Sequence, residues 1–197
     1  MLIAIEGIDG SGKTTISKYV AELLRRKGYD VLILREPSNS KFGRIIRSLE
    51  TRLSVDEELK FFYLDRIENV KNNIIPALSS GKVVVMDRYY FSNIAYQSAR
   101  GIDGSFIRKL NEKIAPKPDL VILLDVKPEI ALSRISTRKK RTPFEELDYL
   151  KKVREKFLEL SHEENVVIIN ANADLEEVKK RVKIVLCSFL SKQSLLE

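Results

Sequence analysis

The sequence predicts an α/β protein, with a five-stranded parallel sheet and helices on both of its faces. Three observations carry that expectation. Five short apolar runs recur along the chain, helical patterns fill the intervals, and strand and helix signals alternate throughout. The runs are continuously apolar rather than alternating, as in strands buried on both faces of a parallel sheet. A doubly wound sheet with right-handed crossovers follows.

The first run covers residues 2–5 and meets a glycine loop. Residues 13–26 then place Ile16, Val20, Leu23 and Leu24 on one helical stripe, and Gly28 ends that helix. The second run is 31–34. Residues 55–79 are helical in character, with a break or bend expected at Pro76. The third run is 83–86 and the fourth 120–124. Helices are expected over 128–137 and 145–161, separated by the basic segment Arg138-Lys139-Lys140-Arg141-Thr142-Pro143. The fifth run is 166–169, and a last helix starts near Asp174, with Val178, Val182, Val185, Leu186 and Phe189 as its apolar face.

Composition narrows the chemistry. A chain of 197 residues with 44% hydrophobic residues supports one domain with one sizeable core, expected over 1–197. The single cysteine, Cys187, excludes an internal disulfide or a cysteine-based metal cluster. The single histidine, His162, lies beside Glu163 and Glu164 and has no assigned role. No run reaches the length of a membrane span, and no basic segment precedes an apolar one at the N-terminus. A cytoplasmic protein with no membrane partner is expected. Its chemistry then rests on Lys, Arg, Asp, Glu, hydroxyls, backbone and an oxygen-ligated metal.

The first strand–helix junction is the strongest chemical signal. Gly7-Ile8-Asp9-Gly10-Ser11-Gly12-Lys13-Thr14 matches G-x-x-x-x-G-K-[ST] between a strand and a helix, the context that the motif requires. Its glycines let successive N–H groups converge on phosphate oxygens, and the helix N-terminus adds unpaired donors and a positive dipole end. Gly7, Asp9, Gly10, Ser11, Gly12, Lys13, Thr14 and Thr15 are therefore expected to hold ATP. Lys13 reaches the β- and γ-phosphates and Thr14 a Mg²⁺ ion. This makes the sheet a P-loop NTPase fold. Asp87 and Asp125 each end a strand, where ligands of parallel sheets bind. Either can serve the metal or cap a helix, and capping suits Asp125 better because Pro128-Glu129 follows it.

A P-loop leaves GTPases, ATPases, motors and small-molecule kinases open. The chain lacks an N-K-x-D guanine signature. The segment at about 134–145 lies where small-molecule kinases carry a mobile lid, and a solvated basic turn is its plainer reading. The net charge of +7 also admits nucleic-acid binding. Yet no dense basic run beyond Lys139-Lys140-Arg141 supports it, and no nucleic-acid partner is expected.

Longer motifs narrow the choice. Ile5-Glu6-Gly7 leads into the P-loop, and Arg35-Glu36-Pro37 follows the second strand. A helix holds Phe61-Phe62-Tyr63-Leu64-Asp65-Arg66. Asp87-Arg88-Tyr89 with Ser92, Ala95, Tyr96 and Gln97 spells D-R-Y-x-x-S-x-x-A-Y-Q, and Pro118-Asp119-Leu120 leads to Leu124-Asp125-Val126. Phe144-Glu145, Val153-Arg154 and Phe157-Leu158 follow. Across almost its whole length the chain resembles the thymidylate kinases.

That resemblance implies phosphorylation of dTMP by MgATP, in a homodimer. It implies that Phe62 stacks on thymine and Arg66, one helical turn away, donates to a base carbonyl. Asn93 and Gln97 pair with the base edge, Tyr96 lies against the sugar, and Asp9 accepts from the 3′-hydroxyl. Arg35 and Arg88 hold the acceptor phosphate, and Asp87 joins Thr14 at the metal. Lys13, Arg88, Asp9, and Arg138 or Arg141 in the lid serve the transfer, while Arg134 meets adenine. A kinase for dUMP or another monophosphate, or a nucleotide-dependent ATPase or switch, is the alternative.

Three departures stand out. Ser38-Asn39-Ser40 replaces the family's G-G-T after R-E-P, Thr142-Pro143-Phe144-Glu145 replaces D-R-F-E, and Gly10 stands where many members have arginine.

Overall fold

A computed structural model describes residues 1–136 and 144–193. Strands β1 (Leu2–Glu6), β2 (Val31–Arg35), β3 (Val83–Asp87), β4 (Leu120–Asp125) and β5 (Val166–Asn170) form one parallel sheet in the order β2-β3-β1-β4-β5. The three inner strands are buried on both faces, as the continuous apolar runs predict. The edge strands differ. β2 is only partly buried beyond Val31, and Ile168 in β5 is 40% exposed. An edge strand has one covered neighbour, so its apolar run overstates its burial.

The helices are α1 (Lys13–Arg26), α2 (Lys41–Ser48), α3 (Val55–Asn69), α4 (Ile75–Ser79), α5 (Tyr90–Ser98), α6 (Gly104–Glu112), α7 (Pro128–Ile135), α8 (Leu147–Glu159) and α9 (Leu175–Gln193). They form two groups: α1 packs on α9, and α5 packs on α3, α6 and α8. The bend expected at Pro76 takes a particular form. A π-helical turn, Val70–Ile74, joins α3 to α4. Proline has no N–H to give to the carbonyl four residues back, and a wider turn absorbs that mismatch. The expected helix at 145–161 begins at Leu147 and closes with a 3₁₀ turn, Leu160–His162, which leaves His162 exposed.

Two consequences matter for the site. First, the strand registers align the carboxyl ends of the sheet, with Arg35 beside Asp87 and Ile5 beside Asp87. Second, the Ser38-Asn39-Ser40 loop has its own anchor. Asp65 accepts from the Ser38 N–H at 2.8 Å and from the Ser38 and Ser40 hydroxyls at 2.5 Å each. Ser40 also caps α2 by accepting from the Gly43 N–H at 2.9 Å. Serine hydroxyls here set a backbone path that glycines would leave to conformational freedom.

Candidate active site

The P-loop folds as its motif requires. Gly7, Gly10 and Gly12 all have positive φ, at 141°, 82° and 97°. Gly12 is the N-cap of α1, and no side chain caps the helix, so its first N–H groups face outward. A Cβ at Gly10 would overlap the backbone of Ala131 in α7. Arginine in place of Gly10 would therefore strain this loop. The Ser11 hydroxyl oxygen is buried without a hydrogen-bond partner. An unpartnered hydroxyl in the loop that opens α1 fits an anionic ligand.

Lys13 is 6% exposed and donates to the Ile8 carbonyl at 2.7 Å, which folds its ammonium back into the loop. Burial, with the Arg88 charge, pulls its pKa down to about 7 against the pull of Asp9, Asp87 and Glu6. Thr14 donates to Asp87 Oδ2 at 2.5 Å. The structure thus separates the two strand-end aspartates. Asp87 joins Thr14, whereas Asp125 takes a bidentate pair from Arg154 at 2.6 and 2.9 Å.

Glu6 builds the other wall. Its carboxylate accepts from the Tyr89 and Ser92 N–H groups at 2.7 and 3.1 Å and from the Ser92 hydroxyl at 2.5 Å. It therefore caps α5 from β1, and burial pushes its carboxyl up to about 7. Sequence reasoning assigned Glu6 no role, since its target lies 83 residues away. Arg88, between Asp87 and this capped helix, has a φ of 71°. For a non-glycine residue that conformation costs about 1–3 kcal/mol. It directs the guanidinium to Asp9 at 2.6 Å and to the Ser92 hydroxyl at 3.2 Å.

Asp9 joins the P-loop to a large cavity. It pairs with Arg88 and accepts from the Tyr96 hydroxyl at 2.9 Å. Burial pushes its carboxyl up, but the Arg88 and Lys13 charges and the Tyr96 hydroxyl outweigh this and bring it down to about 2. The unfolded chain titrates near 3.8. Asp9 therefore adds stability above that pH and loses it as the pH falls towards 2. The expected contribution at neutral pH is about 2 kcal/mol. Urea unfolding from pH 2 to 5 checks this: Asp9→Asn should flatten the acid limb, and an unchanged limb contradicts the assignment.

The cavity encloses about 330 Å³. All eight residues expected at the acceptor substrate line it: Asp9, Arg35, Phe62, Arg66, Arg88, Asn93, Tyr96 and Gln97. Phe144 closes one side, with its ring centroid 6.5 Å from that of Phe62 and 6.2 Å from that of Tyr96. Four of the five Arg66 N–H groups are engaged within the protein. The residue is 1% exposed, pairs with Glu36, and donates to Asn93 at 3.3 Å and to Asn111. Sequence reasoning missed Asn111, which carries no motif signal, and left Glu36 as a motif letter without a role. Arg35 is exposed at the rim, 3.9 Å from Asp87.

Arg134 is exposed on α7 and donates to the Ala173 carbonyl at 3.2 Å. The expected lid arginines Arg138 and Arg141 lie outside the described residues. No helix among the described residues is long and apolar enough to cross a membrane.

Comparison with known proteins agrees over nearly the whole chain. The family model for thymidylate kinase matches residues 5–182. A protein of Archaeoglobus fulgidus named "Probable thymidylate kinase" is 63% identical over 191 residues, 97% of each chain. Another of that name, from Pyrococcus horikoshii, is 42% identical over 186 residues, 89% of this chain and 90% of that one. A "Thymidylate kinase" of Akkermansia muciniphila is 44% identical over 184 residues, 92% of this chain and 89% of the other.

Proposed function

The chain belongs to the thymidylate kinase family, and we propose that it transfers the γ-phosphoryl group of ATP to dTMP, giving ADP and dTDP. The observation that carries this is the joining of two compartments. The P-loop supplies Lys13 and free N–H groups, the acceptor cavity supplies Phe62, Asn93 and Gln97, and the Asp9–Arg88 pair lies between them.

The chemistry suits this residue set. The nucleophile is a phosphate oxygen of the acceptor, already anionic near neutral pH, so no general base is needed. The new P–O bond forms as the γ-phosphorus leaves the β-bridging oxygen, and ADP carries that charge away. Catalysis is then positioning and neutralisation of charge on the transferring group. Lys13 serves the β- and γ-oxygens, and Arg88, with Arg35 at the rim, holds the acceptor phosphate. Asp9 and Tyr96 meet the sugar, Phe62 faces the base, and Arg134 is assigned to adenine. Arg138 and Arg141 are assigned to the transferring group on sequence position alone.

A divalent cation of the Mg²⁺ type neutralises β- and γ-phosphate charge when bound. Thr14 Oγ1 and Asp87 Oδ2 are hard oxygen donors that fit such an ion, which keeps several of its waters. We read the working form as a cytoplasmic homodimer; sedimentation reporting only monomer would reject that assembly.

The test is an acceptor panel. Purified protein with MgATP should turn over dTMP with a higher kcat/KM than dUMP or UMP. Good turnover of another acceptor without dTMP overturns the assignment, and hydrolysis without any acceptor favours an ATPase.

A further inference from the structure

Along the cavity wall runs a line of hydrogen bonds between two buried charges. Arg66 donates to Asn93 Oδ1 at 3.3 Å. Asn93 Nδ2 donates to Gln97 Oε1 at 2.7 Å. Gln97 Nε2 donates to Glu58 Oε2 at 3.3 Å. Asn111 strengthens the first link, donating to the same Asn93 oxygen at 3.1 Å. Every donor points the same way, from the guanidinium to the carboxylate.

The direction follows from the ends. A guanidinium can only donate and a carboxylate can only accept. Arg66 therefore turns the Asn93 oxygen towards itself, and Glu58 turns the Gln97 amide nitrogen away from Asn93. Glu58 is 1% exposed and held on its other sides by Arg52, at 2.6 and 2.7 Å, and by Arg100 at 2.8 Å. Two cations offset the cost of burying that carboxylate. Nothing in the phosphoryl transfer uses Glu58.

We propose that Glu58 is a positioning residue which locks the Gln97 and Asn93 amides in the orientation that reads an imide base. Resting on the proposed dTMP kinase activity, this assigns the choice of base to a residue behind the cavity. By donor and acceptor count the Gln97 carbonyl keeps a lone pair and the Asn93 amide a hydrogen, and both residues line the cavity. That acceptor and donor match the N3–H and a neighbouring carbonyl of thymine. Cytosine presents the opposite pattern at the same two atoms, a lone pair at N3 and an amino group at C4. Reading it in the same pose requires both amides to turn over, which sets an amide nitrogen against Arg66 and an amide oxygen against Glu58. A site with a fixed polar pattern rejects the wrong partner far more strongly than a merely apolar one.

The test compares kcat/KM for dTMP and dCMP. In Glu58→Gln the line loses its anionic end, and the dTMP:dCMP ratio should fall by about 10-fold or more, within the range that hydrogen-bond recognition commands. The change should lie mainly in KM for the acceptor, with KM for ATP unmoved. In a Gln97→Met background, Glu58→Gln should change the ratio no further, since the amide it acts through is gone. If Glu58→Gln does not fold, the charge-balanced pair Glu58→Gln with Arg100→Gln carries the same expectation. An unchanged ratio in a folded variant that turns over dTMP overturns the proposal, as does a further fall in the Gln97→Met background. Failure of the unaltered protein to use dTMP would instead sink the activity on which it rests.

Discussion

Replacing Lys13 by methionine is expected to lower kcat for dTMP phosphorylation by about 10²–10³-fold, the usual effect of removing one preorganised charge donor from a transition state. The variant should stay folded. Lys13 is buried, and its burial already favours the neutral amine, so an apolar chain of similar length relieves a desolvation cost. The same burial underlies the catalytic weight proposed for it. A bound polyphosphate would restore the ammonium that burial disfavours, and that charge, folded against the Ile8 carbonyl, would then act with little screening. Steady-state kinetics with MgATP, beside a circular dichroism spectrum, checks both parts. Full activity in the variant would remove the P-loop lysine from the mechanism.

The fold was legible because its signals are local. Each apolar run became a strand, the helix expected at 13–26 has those bounds, and the last helix starts one residue after Asp174. The helices α2 and α6 were not anticipated. They are short, at 8 and 9 residues, and a pattern of two turns hardly differs from chance. The site was legible where one element holds its residues, as in the P-loop or the turn-spaced pairs Phe62/Arg66 and Asn93/Gln97. It was not legible where elements distant in sequence meet. Asp87 and Asp125 look alike as strand ends, and only Arg154, arriving on α8, sends Asp125 to a structural pair. The motif places Arg66 at the cavity but gives no sign that Glu36, Asn93 and Asn111 engage most of its donors. Periodicity identifies a face, but not the partners that a face acquires.

Arg66→Met should be the most destabilising of these substitutions, by about 3–5 kcal/mol, because it strands Glu36 in the interior. Glu36 is 3% exposed, and burial keeps its carboxyl above the usual carboxylate range even with Arg66 beside it. Without the guanidinium that range moves higher still. The folded variant then binds a proton which the unfolded chain releases near 4.5. Its stability should therefore fall as the pH rises above 4.5, so the deficit against the parent is smaller at pH 5 than at pH 8. Adding Glu36→Gln should recover much of the loss and remove that slope, since an amide has no charge to strand. Urea midpoints of the two variants and the parent at pH 5 and pH 8, at constant denaturant slope, supply the measurement. A deficit under about 1 kcal/mol, or one that does not change with pH, would mean that the pair is not the buried charge couple described above.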